Sequence, residues 1–277
     1  KNKILKILKN EQDLNVQYIL KKYIENCSLE YVVSIEKSFL NNIYIEKNNS
    51  ILLKKDFDKD FYSIHKKNEF IKYKICIIDG YIESIGEIHH LLQKSNENKE
   101  ETYVIFCYGM SEDVKRTIIV NNKRKNTRVF PISLGLTEEN LNIFNDIAII
   151  HDCDIISASK GQTISQATRK VINKGKKITI DSQNSCLIIE PVCDNKKIKN
   201  HINFLNEKIK NQNNNGNDKN KNLVLKRIKS LSSKNYKIFL PDNFLKNKTF
   251  LKNINYYFNI MGNLSLKFVK VKNSSNE

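Results

Sequence analysis

Between Tyr73 and Asn122 the apolar positions switch twice between a strand period and a helix period. Tyr73-Lys-Ile-Cys-Ile-Ile78 is a β-rich apolar run closed by the turn pair Asp79-Gly80. From Glu83 to Leu92 the spacing changes, with Ile85, Ile88, Leu91 and Leu92 three and four apart, as on one face of a helix. A polar break from Ser95 to Glu101 leads to a second strand pattern, Tyr103-Val-Ile-Phe-Cys-Tyr108, which Gly109 ends. Ser111-Glu-Asp then opens a helix, a hydroxyl cap followed by acids on the positive end of the dipole. That helix runs through Val114, Ile118 and Ile119 to Asn121. Strand, helix, strand, helix at this spacing predicts a parallel pairing, with both helices side by side on one face of a sheet.

Around this unit the pattern is weaker. Residues 1 to 26 read as helical, with Leu14, Tyr18, Leu20 and Ile24 as the apolar stripe and Asn26-Cys-Ser28 as the stop. Leu29 to Ile35 and Ile43 to Ile45 read as short strands. From Ile51 to Phe70, aromatics (Phe57, Phe61, Tyr62) stand among charges in an irregular stretch. Thr127 to Ile132 is a strand whose Pro131 favours a sheet edge. Thr137-Glu-Glu caps a helix with Leu141, Phe144, Ile147 and Ala148 on its buried face. A short strand at Asp154 to Ile156 and a weak helix at Ser165 to Lys170 follow. Two strand-like runs then flank Asn173-Lys-Gly175, a hairpin signal. Cys186 to Val192 is apolar. Lys197 to Lys210 is helical through Ile198, Ile202, Leu205 and Ile209, and Leu223 to Leu231 resumes that period. The Asn/Lys insert 211–222 between them is of low complexity and reads as a disordered loop inside an antiparallel helix pair. Tyr236 to Leu240 is a strand, and the tail after Pro241 reads as irregular.

Composition changes this picture little. The 277 residues, 40% of them hydrophobic, suffice for one large or two small cores. The net charge of +17 fits an AT-rich genome, because lysine, asparagine and isoleucine crowd every part of the chain; it also fits a nucleic-acid or acidic-membrane partner. Only Lys123-Arg-Lys125 with Arg128 forms a compact basic patch, and it has no interleaved aromatics. Six cysteines, at 27, 76, 107, 153, 186 and 193, show no metal-type pairing and fit a reducing compartment. His151 and Cys153 offer two ligand types close together, but nothing supplies two more at ligand spacing, so no metal is expected. No apolar run approaches the length of a membrane span, and no membrane partner is expected.

The order of these elements resembles the apical domain of a group I chaperonin of the GroEL type, flanked by pieces of its intermediate domain. Tyr73 to Ile85 is similar to the family's strand and entry into its first peptide-binding helix, and Ile118-Ile-Val-Asn121 to the Val-Val-Asn of its second. Asn145-Asp-Ile-Ala148 with Asp154-Ile-Ile-Ser157 resembles the family's Gln-Asp-Ile-Ala and Thr-Val-Ile-Ser. Gln166 to Lys174 with Ile178-Thr-Ile-Asp181 resembles Gln-Ala-Lys-Arg-Val-Val-Ile-Asn-Lys and Ile-Ile-Asp. The resemblance spans roughly residues 12 to 240 and rests on order and spacing rather than on any single motif. It implies an α/β fold of the apical type, with swivelling βα sheet layers and paired helices, plus a partial α+β intermediate domain. The implied division is an intermediate-type segment at 1–46, an apical-type polypeptide-binding domain at 47–232, and a return with tail at 233–277.

The resemblance also implies a function. The intact family is an ATP-driven ring, a homo-oligomer that binds non-native polypeptides and encloses them under a co-chaperonin. Client and lid contacts would fall on Phe57, Phe61 and Tyr62, on Ile88, His89, Leu91 and Leu92, and on Lys115, Ile119, Val120 and Asn121. The residues alone leave open that Ile85, Ile88, Ile118 and Ile119 are plain core. Leu91-Leu92 and Ile118-Ile-Val120 are wider than one buried stripe, however, so part of each should be exposed. His89 and Lys115 stand where the family has leucine, which makes the groove more polar. The hinge glycines are absent near Lys47 and Ser233, which argues against large rigid-body rotation. The pair His89-His90 has no carboxylate or nucleophile at a defined spacing, so it marks no acid/base site. The compartment implied is a plastid or mitochondrion, or otherwise the cytoplasm. The competing readings are a basic α/β nucleic-acid-binding protein using Lys123 to Arg128, and an α/β enzyme, for which no glycine-rich phosphate loop or nucleophile turn is present. ATP and magnesium serve the intact family, but no phosphate cradle and no Asp-Gly-Thr-Thr run occur here, so the chain is expected to use no cofactor and to be no enzyme by itself. Calorimetry on the isolated chain should find no nanomolar ATP affinity and no nucleotide hydrolysis; tight, magnesium-dependent binding would overturn the reading.

Overall fold

The structure, a computed structural model, describes residues 12–26, 31–40, 42–58, 60–62, 67–170, 172–182, 185–212, 218–232 and 234–264. The helical reading of residues 1–11, the strand start at Leu29, Cys27, the centre of the Asn/Lys insert (213–217), Ser233 and the last residues of the tail lie outside them. In chain order the elements begin α1 (Leu14–Asn26), β1 (Tyr31–Lys37), β2 (Tyr44–Asn48), β3 (Ile51–Lys54), β4 (Lys67–Ile71), β5 (Lys74–Asp79) and β6 (Tyr81–Ile82). Next come α2 (Ile85–Glu97), β7 (Tyr103–Cys107), β8 (Gly109–Met110), α3 (Glu112–Lys123), β9 (Val129–Ser133), α4 (Glu138–His151), β10 (Ile156–Ser157) and α5 (Ile164–Lys170). The chain continues with β11 (Asn173–Lys174), β12 (Lys177–Asp181), β13 (Cys186–Glu190), α6 (Asn195–Gln212), α7 (Asp218–Ser232), β14 (Lys234–Leu240), α8 (Asp242–Lys246) and α9 (Lys248–Leu264). Two compact units result, Lys1–Ser50 with Ser232–Glu277, and Ile51–Leu231.

In the first unit, β14 lies between β1, to which it is parallel, and β2, to which it is antiparallel. Its core joins Val16, Ile19, Leu20 and Ile24 of α1 to Tyr236, Ile238 and Leu240 of β14 and to Phe250, Leu251, Ile254 and Phe258 of α9. Two expectations are corrected here. Leu14 and Tyr18 are exposed rather than part of the buried stripe, which is rotated onto Val16 and Ile19. The tail after Pro241 is helical, not irregular: its buried residues fall one, four and eight apart, a helix period diluted in sequence by asparagine and lysine.

The second unit is built on β5. In the sheet β10-β5-β7-β9 every neighbour is parallel, and β9 is the edge strand that carries Pro131. Strands buried on both faces need two cores, and alternation supplies them. Cys76, Ile78, Tyr103, Ile105, Cys107 and Val129 point to one side, where Ile88 and Leu91 of α2 and Val114 and Ile118 of α3 cover them. Ile75, Ile77, Val104, Phe106 and Ile132 point to the other, against the antiparallel sheet β3-β13-β12-β4 and helices α4, α6 and α7. The two helices of the central unit therefore lie on one sheet face, as their periodicity predicts. The irregular stretch from Ile51 to Phe70 contains two strands, β3 and β4; their pairing with β13 and β12 outweighs the poor local pattern. Leu141 is exposed, and Ile143 and Ile150 take its place on the buried face of α4.

The hairpin expected around Asn173-Lys-Gly175 does not form. β11 pairs with β5, whereas β12 pairs with β4 and β13, so the chain changes sheets at this point. Tyr73 explains the change. Its carbonyl accepts from Gly175 N at 2.7 Å, and its ring sits where any Cβ at 175 would be. The Tyr73 hydroxyl meets His151 Nε2 at 2.5 Å, while His151 Nδ1 lies 2.8 Å from the Ile147 carbonyl. Both ring nitrogens are thus engaged in structure, so His151 is not free to join Cys153 at a metal. A second buried polar group ties three helices together. Asp146 of α4 accepts from Arg227 Nε and Nη2 of α7 at 2.8 and 2.7 Å and lies 2.8 Å from His201 Nε2 of α6. Arg227 Nη1 reaches Asn142 Oδ1 at 2.9 Å.

Burial pushes the His151 pKa down to about 4. The unfolded chain, with an ordinary histidine pKa near 6.5, then binds the proton more readily than the folded one. Stability contributed by neutral His151 is complete above about pH 6.5 and is lost as pH falls through that value to about 4, amounting to roughly 3 kcal/mol. Denaturant titrations across this window should show the loss in the parent chain and a flatter profile for His151→Gln; identical profiles would contradict it.

Candidate functional site

The helix pair is anchored by local chemistry at each start. The Glu87 carboxylate turns back to accept from Glu83 N and Ser84 N at 2.7 and 3.1 Å, and Ser111 Oγ accepts from Val114 N at 3.4 Å. Ile88, Leu91, Val114 and Ile118 then fasten both helices to the sheet with essentially no exposure. Contact between a bound segment and Ile88 or Leu91 would require α2 to leave the sheet. What remains open is a line along α2 of Ile85 (38% exposed), exposed His89 and half-buried Leu92, which share one stripe at helical spacing. On α3, Val120 is 43% exposed and Ile119 half-buried. Asn121 is half-buried, and its Nδ2 donates to the Thr117 carbonyl one turn back at 2.9 Å.

The aromatic segment is placed differently. Phe57 and Tyr62 are buried edge-to-face at 5.7 Å, and the Tyr62 hydroxyl donates to the Pro131 carbonyl at 2.8 Å. Both belong to the core between the sheets. Phe61 alone is partly open, packed against the cores on both sides of the parallel sheet. Lys115 joins this segment to α3. Its Nζ lies 2.5 Å from Asp58, 3.4 Å from Glu112 and 3.7 Å from Asp60. The hydrogen bond to Asp58 raises the Lys115 pKa despite partial burial. Burial works against the Asp58 charge, but the Lys115 hydrogen bond and the Asp60 backbone outweigh it and hold Asp58 below the usual carboxylate range. Lys115 is therefore more than a polar replacement in an apolar groove; it is the tie between two of the three segments. Sequence reasoning missed its acidic partners, although Asp58-Lys-Asp60 was there to suggest a cation across the fold.

The carboxyl ends of the parallel strands, where α/β folds commonly hold ligands, are otherwise occupied. At the switch point between β10 and β5, Asp79 accepts from the Tyr108 hydroxyl and, at 2.8 Å, from Ser157 Oγ. The helices that start along this edge carry Glu87, Glu112 with Asp113, and Glu138 with Glu139 in their first turns. Those acids occupy the positive ends of these three helices, so α2, α3 and α4 do not offer a phosphate an open helix start. Cys76 and Cys107 are no better placed for chemistry, since burial pushes their thiols up to about 12 and about 11. Lys123, Arg124, Lys125 and Arg128 are exposed, the first three at the carboxyl end of α3, where cations suit the helix dipole.

No known family profile matches the sequence. Among solved structures the chain is similar to the chaperonin gp146 of bacteriophage EL 2 (Pseudomonas aeruginosa), crystallised with ATP-BeFx. In crystal form II the TM-score is 0.62 at 13% identity, over 90% of this chain and 48% of that one. The fold is chaperonin-like. Crystal form I of the same chaperonin gives a TM-score of 0.52 at 12% identity with the same coverage. The chain thus spans about half the length of the chaperonin chain it matches.

Lys115→Leu should destabilise the chain by about 1–2 kcal/mol, because it leaves Asp58 without its cation. Asp58, whose folded pKa is lowered, contributes stability above the ordinary carboxylate pKa and loses it as pH falls. The variant should therefore lack the part of the acid limb that the parent owes to this pair. Unchanged stability and an unchanged acid limb would mean that the pair is idle.

Proposed function

We propose that the Ile51–Leu231 unit is an apical-type polypeptide-binding domain of a chaperonin. In this reading it holds apolar segments of non-native chains against the outer surface of α2 and α3. The observation that carries the proposal is the pair of parallel-crossover helices on one sheet face with Ile85 and Val120 left substantially exposed and Leu92 and Ile119 half-open beside them. Apolar area at a helix pair, without a polar pocket, favours binding by burial rather than by specific geometry. The chaperonin-like fold supports the same reading. A co-chaperonin segment would use the same surface, and the protein would act within a ring of identical subunits. In this reading the unit binds polypeptide and does not itself hold nucleotide; the starts of α2, α3 and α4 along the strand ends carry acids. His89 beside Leu92, and Lys115 committed to Asp58, make the surface narrower and more polar than an all-apolar groove, so client binding should be modest.

Ile85→Ser with Val120→Ser tests this directly. Both side chains are open, so stability should change by no more than about 0.5 kcal/mol each. Affinity for a short apolar peptide, and suppression of aggregation of an unfolded test protein, should fall together. Peptide binding should hold or strengthen with added salt, the opposite of phosphate-directed binding. Undiminished binding in the double variant, or binding that salt abolishes, would refute the assignment.

A further inference from the structure

The positive charge of the chain is not evenly spread once folded. Helices α6 and α7 carry ten of its 47 Lys and Arg but only two of its 30 Asp and Glu. An even share of the +17 would give these helices a net of about two charges rather than eight. Base composition alone, acting on the whole chain, does not account for that concentration. The one arginine among the ten, Arg227, is buried on Asp146, so the outer charge is all lysine. Lys197 pairs with Asp152 at 2.5 Å and Lys226 lies 3.9 Å from Glu139. Among the described residues Lys196, Lys199, Lys208, Lys210 and Lys221 have no acid in reach, and all but half-buried Lys221 are exposed.

Two apolar side chains stand among these lysines. Phe204 is 59% exposed and Leu225 45% exposed, although the inner faces of both helices are buried through Ile198, Leu205, Val224 and Leu231. Phe204 shares its stripe with Lys197, seven residues before, and Lys208, one turn after; Leu225 has Lys221 and Lys229 one turn either side. Leu225 is thus framed by lysines along its helix. Phe204, whose ring stacks on His201 at 6.3 Å, has Lys208 one turn on, the paired Lys197 two turns back and Glu207 three residues on. The two helices are about 22–27 Å long.

We propose that the outer face of α6 and α7 docks on an anionic lipid surface, lysines on the headgroup phosphates and carboxylates, Phe204 and Leu225 at the acyl boundary. Compact, strongly hydrated ammonium groups suit a fluid layer of point charges, whereas the planar forks of arginine that favour bidentate phosphate recognition are missing from the face. Nucleic acid offers phosphates too, but stacking on single strands uses runs of aromatics, and this face exposes a single one, Phe204. This is peripheral attachment: no helix among the described residues is long and apolar enough to cross a membrane.

The test is co-sedimentation of the full chain with vesicles of phosphatidylcholine alone and of phosphatidylcholine with about a third phosphatidylserine, at about 0.15 M salt. Binding should require phosphatidylserine. Lysine near an anionic surface is worth roughly fivefold in affinity each, so reversal of Lys196, Lys199, Lys208 and Lys221 to Glu should cost more than a hundredfold. Phe204→Ser should weaken vesicle binding several-fold with the melting temperature unchanged, and it keeps the proposal testable if the reversed variant does not fold. Absence of binding to the anionic vesicles overturns the proposal. So does vesicle binding that both Phe204→Ser and the charge reversal leave intact. Duplex DNA bound as tightly as the vesicles, with Phe204→Ser without effect on either, would assign the face to nucleic acid instead.

Discussion

The second unit depends on Tyr73. This one residue, just before the central strand, holds two neighbours by three contacts: its hydroxyl engages His151 at the end of α4, its carbonyl takes the N–H of Gly175, and its ring excludes a side chain at Gly175. That exclusion makes the chain pass close to β5 as β11 and then leave for the antiparallel sheet as β12. The chain crosses between the two sheets twice at this place, from β4 into β5 through Lys72 and Tyr73 and back from β11 to β12, and the Lys72 N–H donates to the Lys176 carbonyl at 2.7 Å to hold the two crossings together. A buried tyrosine needs a partner for its hydroxyl, and a buried histidine needs both nitrogens satisfied; here each requirement meets the other.

The central strand–helix–strand–helix unit was legible in the sequence because each of its signals is local. Asp79-Gly80 breaks a strand, Ser111 caps a helix, and the apolar spacing changes where the secondary structure does; Gly109, by contrast, opens the short strand β8 rather than ending one. The elements that escaped are those decided at a distance. β4 has only Phe70 and an exposed Ile71 beside three polar residues and becomes a strand because β12 pairs with it. The hairpin signal at Asn173-Lys-Gly175 was sound turn chemistry, overruled by the tyrosine ring lying across it. In the tail, the helical spacing of Phe250, Leu251, Ile254 and Phe258 was present but thinned by asparagine and lysine, as in much of this composition.

The candidate surface shows the same division. That Leu91-Leu92 and Ile118-Ile-Val120 are too wide for one buried stripe was readable from the helix period. Which member of each run faces solvent was not, because the rotation of a helix on its sheet is set by the partner strands. Ile85, counted among the core candidates, is part of the open line, whereas Phe57 and Tyr62, read as contact residues, are core. Lys115 is the sharpest case. From sequence it is a polar intrusion; in the fold its charge is consumed by Asp58, so its cost to an apolar surface is lower than the substitution suggests.

The carboxylate of Asp146 has a consequence for how the protein opens. It is held from two helices at once, by His201 on α6 and Arg227 on α7, inside a core. Release of α7 alone would strand a buried negative charge with half its partners gone, and release of α6 alone would do nearly the same. Neither helix has an inexpensive route to fray inward past that point. The two should therefore protect their amides as one cooperative block, with exchange from their inner turns limited by a joint opening that also bares Asp146, while their outer turns exchange independently.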